Sequence, residues 1–226
     1  MKVGHKVKIS DQNKKWFLRS QEKQGRICDV RSEREYILII CEGEKTEPNY
    51  FKAINRILPK NIVEISIHGE GANTLSLVEK AQQLRDNRKT RDIQFDQVWI
   101  VFDRDSFSAD NFNNAIHKAE SLEMRCAWSN EAFEFWYILH FEFRDTGMVR
   151  DDYKAKLSSP ELLNESYRKN DSDMYEKLRT KGNQEQAIKW AKKLHEHFQE
   201  SDTPPANSNP CTTIYELIEE LNKFII

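Results

Sequence analysis

The apolar positions of this chain fall first into short unbroken runs and later into helical spacing. Tyr36 to Cys41 and Val98 to Phe102 are bounded by polar residues and have the look of buried strands, the latter extending from 97 to 102 as the third strand of the chain. Ile62 to Ile67 and Met124 to Trp128 complete a set of four predicted strands. Between them the spacing turns helical. Pro48 opens a predicted helix over 48–57, Asn73 or Thr74 caps one carrying Leu75, Val78, Ala81 and Leu84 on one face, and a third covers 110–121. A very apolar stretch, Glu131 to Phe141, is expected to be a helix as well. Strands alternating with helices at this spacing predict βαβ units and a parallel sheet.

Beyond Arg150 the strand signals fade. Helices are expected over Ser159 to Lys169, Met174 to Leu178, Gln184 to Phe198 and Thr212 to Phe224. Thr203 to Pro210, rich in Pro, Asn and Ser, is expected to be a loop. The chain thus divides into residues 1–35, an α/β domain over 36–150 and a helical C-terminal part over 151–226 that packs on it.

Composition narrows the class. Of 226 residues 38% are hydrophobic and 32% charged, which predicts large solvated helical faces. No run approaches the roughly 20 apolar residues that span a bilayer, and no apolar segment follows the N-terminal lysines, so a cytoplasmic protein without a membrane partner is expected. Cys28, Cys41, Cys126 and Cys211 form no CxxC pair, which argues against a zinc ribbon or a disulfide framework; Cys41 and Cys126 are expected inside strands. The net charge of −2 conceals a basic arm, since residues 1–35 hold ten Lys and Arg against five Asp and Glu. With Trp16 and Phe17 among them, these cations suit a phosphate backbone with stacked bases, or equally a solvated tail.

The candidate chemistry stands at the strand ends. Glu42 follows the first run, and Asp103 and Asp105 follow the third. In an open parallel sheet ligands gather at the carboxyl ends of strands, so these side chains are placed to meet over one crevice. There they repel one another unless a divalent cation neutralises them, and oxygen-only ligands suit Mg²⁺ or Mn²⁺ better than zinc. Gly43, lacking a Cβ, lets the chain turn sharply after the strand. Glu47 is either a further metal ligand or a first-turn carboxylate favoured by the helix dipole. Lys45 either holds a phosphate or is solvated. Glu134, in an apolar stretch, must face the site or a basic partner, because an unpaired buried carboxylate is costly. His140 in the same stretch is read first as a core or surface histidine and second as catalytic.

Three segments carry a family likeness: Ile37-Leu38-Ile39-Ile40-Cys41-Glu42-Gly43-Glu44-Lys45-Thr46-Glu47-Pro48, Val101-Phe102-Asp103-Arg104-Asp105, and Ser129-Asn130-Glu131-Ala132-Phe133-Glu134-Phe135-Trp136-Tyr137-Ile138-Leu139-His140-Phe141. Together with Asn209-Pro210-Cys211-Thr212-Thr213 before the last helix, they resemble the RloB family nearly end to end. The resemblance implies a Toprim-like parallel sheet flanked by helices, with its Glu at Glu42 and its DxD pair at Asp103 and Asp105. Where that family usually shows a Pro-Cys-like pair this chain has Glu131-Ala132, so Glu131 receives no role. The resemblance also implies an antiphage, abortive-infection setting, encoded near restriction systems or beside an ATPase gene.

Two look-alike motifs fail. Gly43-Glu44-Lys45-Thr46 lacks the GxxxxGK[ST] spacing of a phosphate-binding loop, so any ATPase is a partner. The Asp103–Asp105 pair ends the third strand rather than the first, unlike the nucleophile motif of haloacid-dehalogenase-like phosphatases. The expectation is a Mg²⁺- or Mn²⁺-dependent nuclease acting on RNA, tRNA in particular, or on DNA. Its metal would be held by Glu42, Asp103, Asp105 and Glu47, and its catalytic groups would be Glu42, Asp103, Asp105, Glu134 and Lys45. The rival expectation is a non-catalytic metal- or nucleic-acid-binding partner of a defence ATPase.

Overall fold

The computed structural model describes residues 34–70, 74–89, 94–104 and 107–225. Residues 1–33 of the basic arm, with Cys28, lie outside them, as does Asp105. Residues 34–226 form one compact unit. Its element order is β1 (Glu35–Cys41), α1 (Thr46–Ile57), β2 (Val63–Gly69), α2 (Thr74–Lys89), β3 (Gln97–Asp103), α3 (Ala109–Ser121), β4 (Arg125–Asn130), α4 (Glu134–Ile138), α5 (Arg150–Leu157), α6 (Met174–Lys181), α7 (Gln184–Glu200), β5 (Cys211–Thr212) and α8 (Ile214–Asn222). The strands lie in the order β2-β1-β3-β4-β5. β1 to β4 are mutually parallel where they pair, and β5 runs antiparallel to β4. This is a mixed α/β fold with a mostly parallel sheet, flanking helices and a helical C-terminal part.

The central strands are apolar throughout because both faces of the sheet are covered. Along β1, Ile37, Ile39 and Cys41 enter one core while Leu38 and Ile40 enter the other. Trp99 and Val101 of β3 join the first, and Val98, Ile100 and Phe102 the second. The first core includes α1, α4 and much of the C-terminal part, and the second includes α2 and α3. Inside the first, Trp136 Nε1 donates to Tyr50 Oη at 2.9 Å, joining the α4 segment to α1. The phenol of Tyr50 meets Phe51, Phe133 and Tyr175 edge-on.

Three local expectations are corrected. The apolar stretch 131–141 is regular helix only over Glu134–Ile138. Its residues are buried from Ala132 to His140, so the sequence has no polar face by which a helix could be read. Residues 159–169 are not helical. Pro160 follows Ser158-Ser159, Asn164 and Asn170 take left-handed φ values of 53° and 68°, and Ser158 Oγ accepts from Tyr167 N at 2.9 Å. Finally, Thr212, expected to start the last helix, forms with Cys211 a strand on the edge of the sheet, where Ser129 and Thr212 hydroxyls meet at 2.9 Å. The 203–210 loop contains one 3₁₀ turn, Pro205–Asn207. Cys41 and Cys126 are in strands, and with Cys211 they are free thiols. Among the described residues no helix is long and apolar enough to cross a membrane.

Candidate functional site

The strand order reverses between β1 and β3, which connect outward to opposite edges of the sheet. At such a point the loops leaving the strands part and open a crevice. Glu42 leaves β1 there and Asp103 ends β3. The pairing of β1 with β3 runs one residue past the strand, since Glu42 N donates to Val101 O at 2.8 Å. Glu42 Oε2 in turn accepts from Asp103 N at 3.2 Å, tying the two strand ends together.

The turn from β1 into α1 brings in Glu47. A Cβ on Gly43 would overlap Glu47 Oε2 and stand 3.0 Å from Oε1, so the glycine makes room for that carboxylate. Gly69, at the end of β2, has the same duty toward the backbone: a Cβ there would lie 2.7 Å from Gly43 O and 2.8 Å from Glu44 O. The start of α1 is latched to the C-terminal part, with Thr46 Oγ1 donating to Asn170 Oδ1 at 2.7 Å and Asn49 Nδ2 to Asn170 O at 3.0 Å.

A cavity of about 520 Å³ opens over this point, lined by Glu42, Gly43, Glu44, Lys45, Thr46, Glu47, Asp103, Phe107, Phe133, Glu134, Arg150, Lys169 and Asn170. Asp103, Glu47 and Glu134 keep only 6%, 5% and 7% of their surface. Such burial of several carboxylates is costly unless something compensates it. Among the described residues, Asp103 Oδ1 and Glu47 Oε2 are buried without a hydrogen-bond partner. Burial pushes the Asp103 carboxyl well above its usual range, neighbouring Glu47 and Glu134 push it further, and the Phe133 N–H acts against them. Burial likewise raises Glu47; Glu134 adds to this, while Lys169 and Arg150 oppose it. The Glu134 carboxylate accepts at Oε1 from Tyr167 Oη at 2.9 Å. Burial, then the charge of Glu134, raises that phenol, which therefore stays protonated and acts as donor.

Of the residues singled out in the sequence, Glu42, Lys45, Glu47, Asp103 and Glu134 line this one cavity. Asp105 lies outside the described residues. Glu131 is half-buried and does not line it. His140 faces a different cavity, of about 420 Å³, beside Ile57, Tyr175 and Leu178. Its Nδ1 pairs with Trp136 O at 2.9 Å, and burial lowers its pKa to about 4, so it is a neutral core histidine. Sequence reasoning missed Arg150, Tyr167, Lys169 and Asn170. They sit tens of residues from the strand ends they meet, and the only local signal was their polarity within an otherwise ordinary C-terminal stretch.

The donor set can be tested against a cation. Among the described residues no three His, Cys, Asp or Glu side chains are drawn together tightly enough to hold a metal by themselves. Hard cations such as Mg²⁺ make no such demand, since they keep several waters and take one or two carboxylates. Two orphaned acceptor oxygens, in a cavity whose acidic groups are all carboxylates, fit that coordination. They fit zinc poorly, because no Cys or His lines the cavity.

Fold and cavity together define an α/β protein with an acidic, oxygen-lined crevice at the switch point of its sheet. A family model described as RloB-like protein matches residues 37–221, and the chain belongs to that family. No curated protein and no solved structure matched in the corresponding comparisons.

Proposed function

We propose that this chain is a divalent-metal-dependent nuclease of Toprim type that cleaves phosphodiester bonds in RNA or DNA. The observation that carries the reading is the meeting of Glu42, Glu47, Asp103 and Glu134 at the β1/β3 switch point, with unpartnered buried oxygens on two of them. Mg²⁺ or Mn²⁺ would be held by Asp103, Glu42 and Glu47, together with Asp105, two positions after Asp103 in the sequence. When bound, such an ion acidifies its water and neutralises charge on the phosphate oxygens. Glu42, half-buried while Asp103, Glu47 and Glu134 are buried, would exchange a proton with water or the leaving oxygen. Lys45, Arg150 and Lys169 line the same cavity as the carboxylates and are the groups to contact substrate phosphates. The setting in antiphage defence, with a co-encoded ATPase as partner, rests on family resemblance.

The test is hydrolysis of total tRNA and of single- and double-stranded DNA by the purified chain. It is run with Mg²⁺, Mn²⁺ or EDTA, with and without the co-encoded ATPase, alongside Mn²⁺ calorimetry. Metal-dependent cleavage is expected. Absence of both cleavage and Mn²⁺ binding in every combination overturns the reading. The looseness of the carboxylate group favours a second reading, a non-catalytic binding partner of the ATPase. Mn²⁺ binding without cleavage of any substrate, even with the ATPase present, would select it.

A further inference from the structure

The segment between α5 and α6 is irregular, yet it is pinned at many points. Lys181 Nζ reaches Leu163 O and Glu165 Oε1, both at 2.8 Å, and Lys177 Nζ reaches Glu165 Oε2 at 3.1 Å and Asp171 Oδ2 at 2.9 Å. Ser158 Oγ holds the backbone N–H of Tyr167. A long connection without regular structure, so heavily tied down, is usually functional. What this one delivers into the interior is a single phenol, 5% exposed, whose hydroxyl meets the buried Glu134. Packing alone needs no hydroxyl there, because phenylalanine fills the same volume.

We infer that Glu134 is a further ligand of the proposed metal site and that Tyr167 is its positioning residue: the hydroxyl fixes Glu134 through Oε1 and so presents the other carboxylate oxygen to the cavity. The inference rests on the metal-site reading above. A carboxylate beside Asp103 and Glu47 would otherwise turn away from its like-charged neighbours, and a neutral donor holds it without neutralising it. A lysine in that place would form an ion pair and weaken the carboxylate as a ligand. Outer partners of this type orient ligands, and their loss usually costs 10–100-fold in metal affinity.

The experiment is Mn²⁺ calorimetry on the full chain carrying Tyr167→Phe, Glu134→Gln, both together, or Asp103→Asn. Tyr167→Phe is expected to raise the Mn²⁺ Kd about 10–100-fold. It should add less than about twofold in the Glu134→Gln background, because a residue acting only through Glu134 has nothing left to act on. Wild-type affinity in Tyr167→Phe, with affinity lost in Asp103→Asn, overturns the role of Tyr167 and leaves the site standing. Wild-type affinity in Asp103→Asn overturns the site itself. Equal losses from Tyr167→Phe in both backgrounds also overturn the inference, since the phenol would then act elsewhere. Should Tyr167→Phe not fold, Glu134→Gln decides alone, and wild-type affinity in that variant refutes the inference.

Discussion

Asp103→Asn should make the metal-free protein more stable and the metal-loaded protein less so. The side chain is 6% exposed, its Oδ1 has no partner, and Glu47, Glu134 and Glu42 all oppose its charge. An unsatisfied buried polar group costs about 1–3 kcal/mol. Asparagine keeps the shape, keeps an acceptor for the Phe133 N–H, and turns the orphaned oxygen into a donor facing carboxylates. A gain of about 1–3 kcal/mol corresponds to roughly 2–12 °C in Tm for a chain of this size.

The pH dependence follows from the sign of the shift. The folded carboxyl is raised above its ordinary 3.8, so its contribution is fully present below that pH and is lost as pH rises through the folded value. Wild type and variant should therefore coincide near pH 3.5 and separate as pH rises. Metal reverses the order. At a hundredfold excess over Kd, a ligand binding only the folded state adds about 2.7 kcal/mol. That gain should reach wild type and largely miss the variant. Thermal melts in EDTA and in saturating Mn²⁺, at several pH values, measure all of this. A variant no more stable than wild type in EDTA, or one stabilised equally by Mn²⁺, would refute the reasoning.

Gly43→Ala places a methyl group on the Glu47 carboxylate and should displace it, raising the Mn²⁺ Kd at least about tenfold with the fold retained; an unchanged Kd would take Glu47 out of the metal site. His140 is buried neutral with its pKa lowered from 6.5 to about 4, so its contribution is intact above pH 6.5 and is lost as pH falls toward 4, by roughly 3 kcal/mol in all. Asp103 pulls the other way over an overlapping range, so the readout is the difference between wild type and His140→Asn in urea unfolding at pH 7.5 and 4.5. A constant difference would show that burial does not hold the ring neutral. Deleting residues 1–30, which carry most of the basic arm, should weaken nucleic-acid binding and flatten its salt dependence; the same slope of log K against log salt would leave the arm without a phosphate contact.

The central strands were legible because each is a bounded apolar run, and the carboxylates were legible because they end those runs. β1 was expected over 36–41 and is Glu35–Cys41; β3 was expected over 97–102 and is Gln97–Asp103. Elements without a periodic signal were misread. β5 is two residues long and exists through its partners, with Trp128 N donating to Thr213 Oγ1 at 2.9 Å and Thr213 N to Trp128 O at 2.8 Å. The segment expected as a helix over 159–169 has helical composition, but Asn164 takes a left-handed φ in its middle, and Lys177 and Lys181 hold it in place. That misreading hid Tyr167 and Lys169, because residues taken for a surface helix gave no reason to be placed over a strand end.

The C-terminal part therefore does more than cover the sheet. Asn170 binds the start of α1 just after Glu47's turn, Tyr167 holds Glu134, and Arg150 and Lys169 offset the charge on Glu47. Strand ends alone would supply Glu42 and Asp103, tied by the 3.2 Å hydrogen bond from the Asp103 backbone N–H to the Glu42 carboxylate. It is the later segment that encloses the crevice, and burial is what raises the affinity of Asp103 for a proton, while a low-dielectric surrounding strengthens every charge interaction within it. Anything that moved the 158–173 segment would thus change the charge state of the cavity without touching Glu42 or Asp103. The carboxylates are set by local sequence, but their chemistry is set by a segment more than 50 residues away.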